Sequence, residues 1–287
     1  MKGRSIVPPT ADRETTTYAD ALLEWRDAQD AELRAADGWL TVIGLFWLEP
    51  GANTLGSAAG SVVQLPERLP AHVGTLTLVD DTVTLRVLPG HDVRIGGESV
   101  HEAVLSSNDV NPTLVNVDSV TFFVIRRGTR LAIRMKDSAS DARRTFAGRN
   151  WFPVTTDWRV AGQFTPHASA RTIEVETIIG TTVHLQSPGI VTFSLQGVTY
   201  CMSAFVGEEA DLWFVFRDQT SGAQTYGGGR FLEASLQDGC VELDFNKAVH
   251  PPCAFTPFAT CPLPPKENVL GVSVEAGERW PNGAGGH

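Results

Sequence analysis

The chain has 287 residues, 42% hydrophobic and 20% charged, the composition of a folded globular protein with material for more than one core. Asp and Glu outnumber Lys and Arg by 33 to 23, and the resulting charge of −10 repels a phosphate backbone, which sets nucleic-acid binding aside. The most apolar run, Leu40 to Leu48, falls far short of the ~20 residues that cross a bilayer, and the opening MKGRSIVPPTADRETTT lacks a secretory apolar core, so a cytoplasmic protein is expected.

The first predicted element is a helix over residues 17–37, with Thr17 as its cap, Asp20 in its first turn and Gly38 as its stop. Leu22, Trp25 and Leu33 fall on one side and Glu24, Arg26, Asp27 and Asp30 on the other, the pattern of a helix lying on a sheet. From Gly38 to about Asp137 the period becomes two. In TLTLVDDTVTLRVLPG, Leu76 and Leu78, then Val83, Leu85 and Val87, alternate with polar residues across an Asp80-Asp81 turn, which predicts a hairpin. Strands are also expected at Val93–Ile95, Ser119–Ile125 and Arg130–Lys136, and together they suggest a β-sandwich over residues 39–140.

Residues 138–150 lose the alternation and mark the boundary between halves. Beyond it, strands are predicted at Thr172–Ile179, Val183–Leu185, Ile190–Leu195, Val198–Phe205, Asp211–Arg217, Gly229–Glu233 and Val241–Asn246, with the wholly apolar LWFVF central. The expected class is therefore mainly β: an N-terminal tail and helix (1–38), a sandwich (39–140), and a β-barrel or second sandwich (141–287). Six prolines between Ala248 and Pro265 exclude regular structure there, and because they lower the entropy lost on folding, an ordered loop is expected.

Familiar catalytic motifs are missing. There is no G-x-S-x-G, no glycine-rich nucleotide loop, no H-E-x-x-H and no C-x-x-C. What remains is a constellation in the C-terminal half. Gly227, Gly228 and Gly229 precede Arg230 in YGGGRFL, where their amides can form an anion nest beside a guanidinium fork or simply a hairpin turn, with the Tyr226 hydroxyl at hand. Arg230 itself, set between flexible glycines and Phe231-Leu232, is expected to be buried against an acidic group or a bound anion. In VELDFN, Val241, Leu243 and Phe245 share one strand face, and Glu242, Asp244 and Asn246 share the other. That polar face meets water, or lines a cleft near Lys247 and Arg230. His250, Cys253 and Cys261 offer H-x2-C and C-x7-C spacings, open to packed thiols, a metal site, or a disulfide or reactive thiol. Only three ligands lie close in sequence, so free thiols without a tightly bound metal are expected, and Cys201 and Cys240 read as core residues.

The runs DQTSGAQTYGGGRFL and LDFNKAVHPPCAFTPFATCPLPPKENVLGVSVEAGER, with GWLTVIGLFWLEPGANTLGS near the start, resemble a bacterial and archaeal family known as domain-of-unknown-function family 1684. The resemblance implies no activity. It implies that Tyr226, Gly227, Arg230, Asp244, Asn246, Pro252, Cys253, Cys261, Pro262, Pro265 and Asn268 stand at the family's characteristic positions. LPAHVGTLTLVDDTVTLRVLPGHDVRIGG faintly resembles a forkhead-associated sandwich, without matching the loop residues by which such domains hold phosphothreonine.

The expected function is binding of a small polar or anionic molecule, of which a hydrolase-type enzyme is one form, in a pocket of the C-terminal half. Asp244, His250 and Tyr226 are the catalytic candidates; Arg230, Gly227, Gly228, Asn246, Lys247 and Cys253 are the ligand-binding ones. The rival expectation is a non-catalytic interaction module in which the same motif is structural, and a third is a flavin-binding split barrel. No cofactor, metal ligand set or oligomeric state is assigned.

Overall fold

A computed structural model describes residues 10–108, 110–207 and 212–280; the tail 1–9, and Asp211 at the head of an expected strand, lie outside the described residues. The protein is mainly β and divides into two compact units, Arg34–Phe146 with Thr256–Ala259, and residues 1–33 with Ala147–Phe255 and Thr260–His287.

The first unit is a β-sandwich. One sheet has six strands, with Val42–Trp47, Arg130–Asp137 and Val120–Arg127 adjacent; the other has five, built around Gly51–Gly56, Gly74–Val79 and Thr82–Val87. Alternate residues from both sheets, among them Leu55, Leu76, Leu85, Val115, Phe122, Ile133 and Met135, form one continuous core. The Asp80-Asp81 hairpin is formed as its alternation predicts, with Val79 paired to Thr82 and Asp80 taking the left-handed turn conformation at φ 51°. Asp137 is buried at the end of its strand, accepting hydrogen bonds from Ser119 Oγ, the Ala139 amide and Arg68 Nη2. Burial opposes its ionisation, but these donors outweigh that and hold the carboxyl below its usual range.

The second unit is a nearly closed barrel. Its seven strands run in the spatial order Arg230–Ala234, Leu212–Phe216, Val198–Val206, Thr182–Leu195, Arg159–Glu176, Cys240–Asp244 and Leu236–Gln237. The chain leaves the first of these and continues through Ser235 into the last, so it joins the two edges of the sheet itself. The interior is filled by alternate apolar side chains, including Val191, Phe193, Met202, Phe214, Phe216, Leu232, Leu243 and Phe245. LWFVF lies between two neighbours, in the interior position its apolar character predicts.

Two expected elements differ in extent. The helix runs Thr10–Leu33, so Thr17 lies inside it rather than capping it. Its buried face, Leu22, Arg26 and Leu33, belongs to the barrel unit: Arg26 lies 4.5 Å from the Trp151 ring centre, and Asp30 accepts from the Arg149 amide. The predicted short strands at 172–179, 183–185 and 190–195 are parts of one long hairpin, Arg159–Glu176 with Thr182–Leu195. Its register jumps from Pro166 opposite Gly189 to Arg171 opposite Ser187. Pro188, which has no amide hydrogen to give, therefore falls where the ladder is interrupted.

Candidate functional site

The barrel unit carries an open cleft of about 860 Å³ on the outer face of its sheet, beside the helix. Strand alternation decides which side chains reach it. Phe214, Phe216, Leu232, Val241 and Leu243 point into the barrel, so their neighbours Trp213, Phe231, Glu233, Cys240 and Glu242 point out and line the cleft, joined by Trp25, Gln29 and Glu32 from the helix. Glu242 is exposed, and Arg159 grips both its oxygens at 2.9 Å. Asp244, the last strand residue, also lines the cleft but is 6% exposed: the Tyr18 hydroxyl donates to both its oxygens at 2.9 and 2.8 Å, and it caps the following turn of 3-10 helix through the Asn246 amide. Burial, then the bond to Asp244, raises the Tyr18 hydroxyl well above the ordinary tyrosine range. Lys247 lines the cleft with its ammonium 5.9 Å from the Trp25 ring centre, and among the described residues it has no ion pair.

The remaining candidates lie elsewhere. Arg230 occupies an inward strand position and is wholly buried, as its neighbours predict; Nη2 donates to Asp218 at 2.7 Å and to the Val274 carbonyl at 2.8 Å, while Nη1 donates to the Ala276 carbonyl. The guanidinium thus ties the C-terminal segment to the barrel end. Of the three glycines only Gly229 has positive φ, at 97°, and a side chain there would meet the Phe216 carbonyl oxygen 2.6 Å away. Gly227 and Gly228 form the turn that Gly229 closes by donating to the Tyr226 carbonyl, and at Gly228 a Cβ would strike the Tyr226 ring. Asn246 is buried and clasps Thr155 through both ends of its amide.

His250 is also buried. Its Nε2 accepts the Tyr226 amide hydrogen, so Nδ1 carries the proton, 3.1 Å from Glu278 Oε1 but off the line of a hydrogen bond; Glu278 is shared with Arg149. Tyr226 packs near Trp280 and His250, and burial first, then the neighbouring Cys253, raises its hydroxyl above the ordinary tyrosine range. Tyr226 and His250 are thus together, apart from Asp244, and of the three catalytic candidates only Asp244 lines the cleft.

The loop from Ala248 to Pro265 is ordered by short 3-10 turns and backbone bonds. Its cysteines are free thiols, and among the described residues no three His, Cys, Asp or Glu side chains are grouped as a metal would need. Cys201 and Cys240 are exposed rather than in the core, because both take outward-facing positions, Cys201 opposite Thr192 and Cys240 next to the inward Val241. No helix among the described residues is long and apolar enough to cross a membrane.

Four cleft residues, and Tyr18 behind Asp244, carry no sequence motif. Arg159 lies in the stretch of the long strand that the pattern does not reveal; Tyr18 and Trp25 are on a helix distant in sequence; Trp213 and Phe231 read simply as strand hydrophobics. The one available signal was alternation, which places Trp213 opposite in sense to Phe214 and Phe231 opposite to Leu232.

No curated protein matches the chain. Among solved structures, the solution structure of an uncharacterized protein of Haloarcula marismortui is 37% identical over 48% of this chain and 79% of that one, with a TM-score of 0.41. Residues 144–279, which hold nearly all of the barrel and the Gly/Pro/Cys motif, match the family described as "Protein of unknown function (DUF1684)", and through that segment the chain belongs to this family.

Proposed function

We propose that the barrel unit binds a small molecule with a flat apolar body and an anionic group, in the cleft beside the helix. One observation carries the reading: Lys247, the lining cation without an ion pair among the described residues, stands 5.9 Å from the Trp25 ring centre in a cleft that Trp213 and Phe231 also line. Arg159 is engaged with Glu242, so it is Lys247 that remains to meet an incoming charge. Trp25, Trp213 and Phe231 supply the large rigid faces that give small-molecule sites most of their contact area. The volume lies within the range of such sites, roughly 300–1,000 Å³. Asp244 and Glu242 orient the site through Tyr18 and Arg159, and the reading requires binding alone.

Calorimetric titration of the full chain with a panel of aromatic and heterocyclic carboxylates and phosphates tests it. A binder is expected whose affinity falls about tenfold or more in Lys247→Glu, the loss of one charge-assisted contact, and falls likewise in Trp213→Ala. Binding that ignores both substitutions, or no binding across the panel, would defeat the proposal.

A further inference from the structure

The cleft carries more negative charge than positive. Glu32, Glu233, Glu242 and Asp244 line it against Arg159 and Lys247. With Arg159 held by Glu242, and Asp244 beneath Tyr18, the excess rests on Glu32 and Glu233. A ligand that brought only negative charge to Lys247 would enter a field that opposes it. Glu233 also has particular neighbours. It is exposed on the strand Arg230–Ala234, directly opposite Trp213 of the adjacent strand, and Phe231, two residues earlier, shares its outward face. The ring centres of Trp213 and Phe231 are 4.8 Å apart and the rings meet at 78°, so they form two walls of a corner. Both rings are half-buried. Behind them lie Val175, Phe205 and Val215, an apolar cluster separate from the barrel interior, so the walls are fixed by packing while their remaining surface lines the cleft.

We propose, resting on the binding reading above, that this corner receives an alkylated ammonium group, so that the ligand of the cleft is zwitterionic: its cation lies against Trp213, Phe231 and Glu233, and its anion meets Lys247. An ammonium bearing alkyl groups presents apolar surface and positive charge together. Aromatic rings attract both, through contact area and through the negative charge of the ring face, and Glu233 adds a full opposite charge. The two poles are neighbours in the fold. Phe231 and Val249 exchange both backbone hydrogen bonds, at 2.8 and 3.0 Å. Lys247 precedes Val249 by two residues across the buried, extended Ala248, which puts the two on the same side, roughly 7 Å apart along the backbone, and both line the cleft. One small molecule can therefore reach from the ammonium of Lys247 to the aromatic corner.

Calorimetric titration of the full chain at about 0.15 M salt, where exposed charges more than about 8 Å apart are largely screened, compares three kinds of probe. The meta and para isomers of trimethylammoniobenzoate carry both charges, the matching tert-butylbenzoates have the same shape without the positive charge, and phenyltrimethylammonium lacks the carboxylate. At least one zwitterion is expected to bind about tenfold tighter than its tert-butyl partner, and tighter than phenyltrimethylammonium. Glu233→Gln and Phe231→Leu are each expected to narrow that ratio to about threefold or less. Wild-type protein that binds the tert-butyl compounds as tightly as the zwitterions, or a ratio that neither substitution moves, would overturn the inference and leave the anion-binding reading standing. Phenyltrimethylammonium bound as tightly as the zwitterions would overturn the two-pole ligand, and no binding by any of the carboxylates would defeat the inference and the reading beneath it together.

Discussion

Arg230 shows how a residue can look like a binding group and be satisfied inside the fold. Its flanking glycines and following apolar pair indicated burial with a partner, and that much was legible; the partner, Asp218, and the three carbonyls of the C-terminal segment belong to chain that is remote in pattern. Removing the guanidinium leaves a buried carboxylate, which also accepts from the Thr220 and Val274 amides, facing carbonyls without donors. Arg230→Ala is expected to lower unfolding stability by about 3–5 kcal/mol, and Arg230→Lys to recover only part, since one ammonium cannot reproduce a fork; denaturant unfolding measures both. Asp137 supports a pH prediction in the sandwich unit. Its carboxyl titrates below the unfolded value of about 3.9, so its contribution is present above that value and lost as pH falls through the depressed one. Asp137→Asn is therefore expected to destabilise near pH 7, with the difference from wild type shrinking by about pH 3; equal differences at both values would refute this.

Among the elements, short strands with clean alternation were readable one by one. Val83, Leu85 and Val87 face the core because every second residue must, and a turn of two aspartates fixes the register. The long hairpin was not readable as one object. Pro166 and Pro188-Gly189 are stop signals in any local reading, and the strand passes them only because its ladder skips four residues there, a fact that depends on the opposite strand. VELDFN shows the same limit at a smaller scale. The strand ends at Asp244 and tightens into a 3-10 turn, so Glu242 and Asp244 share the cleft face, the first exposed and the second under Tyr18, while Asn246 leaves it and is buried against Thr155. The pattern placed Asp244 and Lys247 near a cleft, but its cation Arg159 and its aromatic walls are set by tertiary neighbours.

At the scale of the molecule, the helix Thr10–Leu33 is the piece whose allegiance periodicity alone does not decide. Its polar stripe was legible, yet Arg26 and Asp30, read as solvent-facing, are half the reason it belongs to the barrel unit, through Trp151, Phe152 and Arg149. Deleting residues 1–33 is expected to weaken hydrogen-exchange protection in Arg159–Gln163 and Cys240–Asp244 while leaving the sandwich strands protected as before; the reverse pattern would contradict the assignment of units.

The bond from Tyr18 to Asp244 spans 226 positions of the chain. On a ribosome adding about 5–20 residues per second, the helix emerges first and waits roughly 10–45 s before the strand that receives Tyr18 has been made. During that interval Leu22, Trp25 and Leu33 have no sheet to lie on, while the strands of the sandwich, translated in between, can already fold. An element made before the sandwich is therefore placed after it, and its apolar face is a natural hold for a chaperone at the nascent chain.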